Sequence, residues 1–422
     1  MTGRRAFCAT LAAGAAGWSG LRVDAAGADV PADTAAPIGN DYFGMHLHRL
    51  VSKTGSPLTE WPAPVAIGAL RLWDSGHRWA DIEPQPGLWN FTRFDPYVDG
   101  AAAHGASVLY TLGSTPRWAS ARPDEAGPYG PGCAAEPARM ADWIAYVREV
   151  VTRYRGRIQA YELWNEPQFA DIARDRGAPG FYSGSVATMV EMARHARSAI
   201  DELDPAAKLA TPGFVNGVDR LELFLAAGGA GLVDAVAYHF YADGTPRFLT
   251  QVEDVRRVMR RCGVAAMPLW NTECGVDDSQ PPALLAQLLL LGAAQRVARF
   301  YYYAWDNEHT GMLAATAAAH ARVAAYAQVQ GWLLGTTVSP PERMATGVLR
   351  VHARRGEERL AFLWAERESV LRQPAPAGLK ATSVERLFEA QRPIAPDEQA
   401  AAGSLTLKLS PLPLCVRWLA RA

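Results

Sequence analysis

Ile158-Gln159-Ala160-Tyr161-Glu162-Leu163-Trp164 is a short β-rich run, and Ser185-Val186-Ala187-Thr188-Met189-Val190-Glu191-Met192-Ala193-Arg194-His195-Ala196-Arg197-Ser198-Ala199-Ile200 follows it with a helical period. In the second stretch Val186, Met189, Val190, Ala193 and Ile200 share one face, behind Ser183 and Ser185 as candidate caps. A strand and then a helix make one βα unit. The unit recurs outward in both directions. Strands are expected at Phe43–His48, Ala69–Asp74, Ser107–Leu112, Lys208–Pro212, Val233–Phe240, Met267–Glu273 and Arg299–Trp305, and further helices over 247–262, 281–296 and 320–334. Eight βα units in about 290 residues match an α/β fold, the (β/α)8 TIM barrel, over residues 38–338. A doubly wound open sheet is the alternative. It would want a Gly-rich phosphate loop after the first strand, and none follows it.

Past residue 345 the period changes. Val348–Ala353, Leu360–Ala365, Ser383–Phe388 and Ser404–Leu409 are β-rich, and Pro374, Pro376, Gly378, Pro393, Pro396 and Gly403 separate them. This predicts a small antiparallel β-sandwich domain over residues 345–422.

Composition narrows the function. The 422 residues are 49% hydrophobic and 20% charged, which is globular and not disordered. A net charge of −1 lacks the basic excess of a nucleic-acid binder. The 13 Trp and 14 Tyr exceed what a core needs and, where exposed, suit flat, neutral ligands such as sugars; core packing is the plainer reading. Arg4-Arg5 ahead of Phe7 and an Ala-rich stretch to Gly17 read as a twin-arginine-type signal peptide, with a linker, over residues 1–32. A disordered basic terminus is the other reading. Export to the periplasm or beyond is expected, without an integral membrane segment, because the apolar stretch is far shorter than the roughly 20 residues of a bilayer span. Cys133, Cys262, Cys274 and Cys415 fit no zinc spacing; two bridges are the alternative in an exported protein, and free buried thiols are expected. A monomer without metal or cofactor is expected.

In a barrel the chemistry sits where strands end. The fourth strand runs into Trp164-Asn165-Glu166-Pro167 and the seventh into Asn271-Thr272-Glu273. Two carboxyl groups converging on one cleft are what glycosidic cleavage needs: one protonates the leaving oxygen, the other attacks or activates water. For one strand-end glutamate a salt bridge or cap is the simpler account; a facing pair with aromatics around both argues against it.

These motifs, with Trp79–Asp95 after the second strand, resemble clan A of the retaining glycoside hydrolases. Family 39 is the nearest match, and within it the bacterial endoglycosidases that trim an exopolysaccharide. The resemblance covers residues 40–420 in layout and is specific at 69–95, 161–167 and 270–275. It implies Glu166 as general acid/base and Glu273 as nucleophile. It implies Asn165 on the sugar 2-hydroxyl, Arg71 steadying the nucleophile, His239 and Tyr241 hydrogen-bonding the carboxylates, and Trp305 under the sugar. His46 and His48 would line the mouth, and Trp118 would be a platform for a further sugar. Each has a plainer alternative: Arg71 paired with Asp74, Trp305 in the core, either histidine satisfied in the core. A polysaccharide or oligosaccharide substrate follows, with endo action favoured by the short first crossover at 49–68, which lacks a long lid. An exo-acting xylosidase or iduronidase type, and a sugar-binding barrel without activity, are the other readings.

Overall fold

The structure, a computed structural model, describes residues 36–177, 180–344, 346–399 and 404–420. The expected export signal lies outside the described residues.

Eight parallel strands form the centre: β1 Phe43–His46, β2 Ala69–Leu72, β3 Ser107–Thr111, β4 Ala160–Glu162, β5 Lys208–Ala210, β6 Val236–His239, β7 Leu269–Cys274 and β8 Val297–Tyr302. They pair in the order β5-β4-β3-β2-β1-β8-β7-β6, and parallel bridges Ala210–Ala235 and Phe214–Tyr238 join the two ends. The open-sheet alternative is thereby excluded; this is a (β/α)8 barrel. The helices between the strands include α1 Trp79–Ile82, α2 Phe94–Ala103, α3 Met140–Arg153, α4 Val186–Leu203, α5 Asp219–Ala226, α6 Thr245–Arg261, α7 Ala283–Ala294 and α8 Ala317–Leu333. Ser185 caps α4, its hydroxyl accepting from the Thr188 N–H at 3.1 Å.

Alternation along the strands divides two cores. Leu70, Leu72, Val108, Tyr110, Tyr161 and Tyr238 point outward to the helices. Ala69, Leu109, Ala160, Ala210, Ala235 and Ala237 point inward and make room for Trp270 and Tyr301, which fill the barrel floor. Gly44 is required there: a Cβ would stand 2.4 Å from the Tyr301 ring.

Among the described residues the C-terminal region holds nine strands, where four were expected: β9 Thr337–Val338, β10 Glu342–Arg343, β11 Val348–Arg355, β12 Glu358–Ala365, β13 Ser369–Gln373, β14 Leu379–Arg386, β15 Arg392–Pro393, β16 Leu405–Leu409 and β17 Leu414–Ala420. One antiparallel sheet runs β10-β11-β12-β17-β14-β15, with β9 on β11; β13 and β16 pair separately. Strand β12 shows the logic. Leu360, Phe362 and Trp364 face the barrel helices, Trp332 of α8 stacking on Phe362 at 5.8 Å, while Ala361, Leu363 and Ala365 face Leu371, Leu405, Leu407 and Leu409. Helix α7, apolar all round, is buried on nearly every side as a result.

Cys133, Cys262, Cys274 and Cys415 are free, and all but Cys262 are buried. No helix among the described residues is long and apolar enough to cross a membrane.

Candidate active site

The period that turns Ala69, Leu109, Ala160 and Ala237 inward brings Arg71, Thr111, Glu162 and His239 to the same inner face, one layer nearer the strand ends. All four are wholly buried. Strand β7 departs from the rule. Tyr238 pairs with Asn271, but His239 pairs with Glu273, so one extra residue, Thr272, bulges. Strict alternation from inward Trp270 would aim Glu273 out at the helices; the bulge turns it in. The ring of His46 donates from Nε2 to the Thr272 carbonyl at 3.0 Å, which satisfies the bulged backbone.

Arg71 spends its donors on the site. Nε and Nη2 reach Glu162 Oε2 at 2.8 and 2.5 Å, Nη1 reaches Glu273 Oε2 at 2.8 Å, and Nη2 also reaches Asn165 Oδ1 at 2.8 Å. The Asn165 amide NH₂ is left as a donor. Tyr241 donates to Glu273 Oε1 at 2.8 Å.

Glu166 lies four residues past the end of β4, with φ 43°, a left-handed conformation rare for a non-glycine residue and rarer before proline. Its N–H donates to Gly213 O at 2.8 Å, and Oε1 meets His239 Nδ1 at 2.8 Å. An oxygen of Glu166, one of Glu273 and a ring nitrogen of His239 all lie within 4.8 Å of one another. That spacing would also suit a shared cation. Each group is already committed, though, Glu166 to His239 and Glu273 to Arg71 and Tyr241, which is the bonding of a pair that handles protons.

Burial dominates the electrostatics. It raises the Glu166 carboxyl to about 7, against the pull of Arg71 and with help from the charges of Asp74 and Glu162. Burial lowers His239 to about 4, so the ring is neutral at pH 7. Arg71 and Tyr241 were expected to keep Glu273 ionised. They act in that direction, as does His239, but burial outweighs them and moves Glu273 upward too.

The remaining expected residues divide. His46 is fully buried behind Arg71 and does not line the mouth; its work is the β7 bulge. His48 is partly exposed, its ring 5.0 Å from that of Tyr303, and its N–H donates to Asp306. Trp305 is buried at the rim and belongs to the main core, its backbone N–H on His46 O at 3.0 Å. Trp118 is partly exposed. It donates to Glu83 O at 2.9 Å, packs edge-on to Trp79, and lines a separate depression of about 520 Å³ with Pro84, Arg117 and Asp124.

Sequence reasoning missed Glu162 and Asp74. Asp74 does not pair with Arg71; it accepts from Tyr129 at 2.5 Å and Tyr303 at 2.9 Å. Glu162 had a signal, a lone charge inside an apolar strand, since such a carboxylate needs a buried partner.

No family model matches the chain. Solved structures do resemble it. A glucosidase from Croceicoccus marinus superposes with a TM-score of 0.60 at 15% identity, covering 92% of this chain and 98% of its own. A glycoside hydrolase family 30 subfamily 8 xylanase from Clostridium acetobutylicum gives 0.63 at 13%, covering 92% and 97%. A GH39 enzyme from Xanthomonas axonopodis pv. citri gives 0.62 at 15%, covering 92% and 96%. Identities this low speak to the fold alone, and over nearly the full length of both partners that fold is a barrel carrying a C-terminal β region.

Proposed function

We propose that this chain is a retaining glycoside hydrolase of the family 39 type, working by double displacement. The observation that carries the reading is the carboxyl pair. Oxygens of Glu166 and Glu273 stand within 4.8 Å of each other, and Glu166 holds its proton to about pH 7. Retaining enzymes need carboxyl groups about 5–5.5 Å apart, whereas inverting ones leave about 6.5–9.5 Å for a water. The neighbours in fold, a glucosidase, a xylanase and a GH39 enzyme, support the class.

Glu273 attacks the anomeric carbon. Its negative charge is steadied by Arg71 Nη1 and the Tyr241 hydroxyl. Glu166 gives its proton to the leaving oxygen, and the glycosyl–Glu273 ester forms. Glu166, now ionised, takes a proton from water, which attacks the same carbon and releases Glu273. The Asn165 amide, fixed through its oxygen by Arg71, offers its NH₂ to the sugar 2-hydroxyl. The substrate is a polysaccharide, a bacterial exopolysaccharide cut internally, met after export.

The test is NMR of the first-formed product together with mass spectrometry after a 2-fluoro glycoside. Retained configuration and a label on Glu273 are expected. An inverted first product sinks the mechanism. Product sizing on an exopolysaccharide panel separates internal cutting, a ladder of oligomers, from release of single sugars.

A further inference from the structure

Glu162 has no part in the steps above, yet it is as buried as any residue in the chain. Its Oε2 collects three donors: Arg71 Nε at 2.8 Å, Arg71 Nη2 at 2.5 Å and Thr111 Oγ1 at 2.8 Å. Its Oε1 and the Nε2 of His239 approach the same point above Gly213. A Cβ there would lie 2.8 Å from the first and 2.5 Å from the second, so only glycine fits.

The geometry points to Glu162 as a third functional carboxylate, a positioning residue that grips one edge of the Arg71 fork and cancels its charge, so that the other edge serves Glu273 and Asn165. This rests on the glycosidase reading. The arrangement answers a problem of charge. Arg71 sits among two cleft carboxyls that must differ in protonation. Alone, it would draw both toward ionisation, and Glu166 would lose its proton below neutral pH. Glu162 opposes this: its charge acts on Glu166 in the raising direction, adding to the larger influence of Asp74, while Arg71 and Arg220 act in the lowering one. The groups around Glu162 are accounted for on every side. Arg71 on β2 and His239 on β6 face it, and its field reaches Glu166 after β4 and Tyr301 on β8. Beyond Arg71 stand Glu273 on β7 and His46 on β1.

Glu162→Gln keeps the shape and an acceptor for Arg71 but removes the charge. Glu162→Asp keeps the charge but withdraws it by one methylene. The readout is the Glu166 carboxyl, titrated by ¹³C NMR in unliganded protein labelled at glutamate, with circular dichroism as the check on folding. In Glu162→Gln the midpoint should fall by about one pH unit, the scale of one nearby charge. Glu162→Asp should move it the same way by less. The alkaline limb of kcat/KM should follow in each. If Glu162→Gln does not fold, Glu162→Asp decides by the same rule. A Glu166 midpoint unmoved in the folded variants overturns the inference, because a merely structural carboxylate would leave it in place. The titration needs no substrate. A shifted midpoint in a protein without glycosidase activity would sink the function and leave the charge role; an unshifted one with intact activity would do the reverse.

Discussion

Arg71 in the barrel and Arg417 in the C-terminal sheet each hold two glutamates. Arg71 takes Glu162 and Glu273 at 2.5 and 2.8 Å; Arg417 takes Glu385 at 2.9 Å and Glu358 at 3.5 Å. The stoichiometry is the same and the setting is not. The side chains of Arg71, Glu162 and Glu273 are 0%, 0% and 9% exposed, against 11%, 15% and 21% for Arg417, Glu385 and Glu358. The C-terminal carboxylates also have other donors, Arg355 for Glu358 and Gln328 for Glu385. More water reaches that triad, so its charges count for less, although they still act on the buried Cys415 thiol. In the barrel Thr111 and Tyr241 also donate to the carboxylates, but almost no water reaches them, so the charges act on one another more strongly. Burial, more than the ion pair itself, separates a strand-pairing device from one suited to the proposed chemistry.

The largest effect should separate the triads by rate. Glu273→Gln and Glu166→Gln should each lose about 10²–10⁴-fold or more in kcat on a natural glycan while circular dichroism stays native. Glu358→Gln should keep the wild-type rate. Turnover surviving in either barrel variant would remove that residue from the mechanism. Stability should separate them next. Arg71→Met strands two buried carboxylates and should cost about 3–5 kcal/mol in urea unfolding. Arg417→Met should cost about 1 kcal/mol or less. Equal losses would show that burial does not distinguish the two sites.

A third effect concerns pH. Glu166 holds its proton to about 7 in the folded chain, against an ordinary 4.5. Between those values the folded state binds more proton than the unfolded one. Its contribution is therefore complete below 4.5 and is lost as pH rises through 7. His239 runs the other way. Its folded value of about 4 lies under the ordinary 6.5, so stability falls as pH drops from 6.5 to 4. Glu166→Gln has no proton to lose and should escape only the alkaline arm. It should gain on the order of 2 kcal/mol over wild type at pH 8 and little at pH 5. Melting curves at the two pH values measure this, and an unchanged gap between the proteins would count against a raised Glu166.

How much of this could be read from sequence follows from the same physics. The eight βα units were legible because helical and strand periods are local. Glu166 and Glu273 were legible because strand ends in a barrel share one face. Glu162 was not singled out: its meaning lies in Arg71, 91 residues away, and no local pattern records that partner. The β7 bulge was hidden too, since Asn271-Thr272-Glu273 reads as plain strand, and with it went the buried role of His46. In the C-terminal region β9, β10 and β15 are two residues each, too short to carry a period. Strand β17, Leu414–Ala420, was missed although it sits between β12 and β14; it is buried on both faces over Leu414–Val416 and shows no clean alternation there.

The smallest effect is the sharpest control. Glu385 accepts from Arg417 at 2.9 Å and from Gln328 of α8 at 3.0 Å, so it ties the C-terminal sheet to the barrel wall. If charge mattered there as it does at Arg71, Glu385→Gln would disturb both stability and the pH profile. The more exposed setting argues otherwise. A glutamine keeps an acceptor for Arg417, and Glu358 remains as its counter-ion. The expected loss is about 1 kcal/mol and should change little as salt rises, because a pair only 11% and 15% exposed is screened much less than one at the surface. Both limbs of the kcat/KM profile should stay where they are. A shifted limb would mean that charge at the sheet reaches the glutamate pair through α8, and the two triads would then be one coupled system.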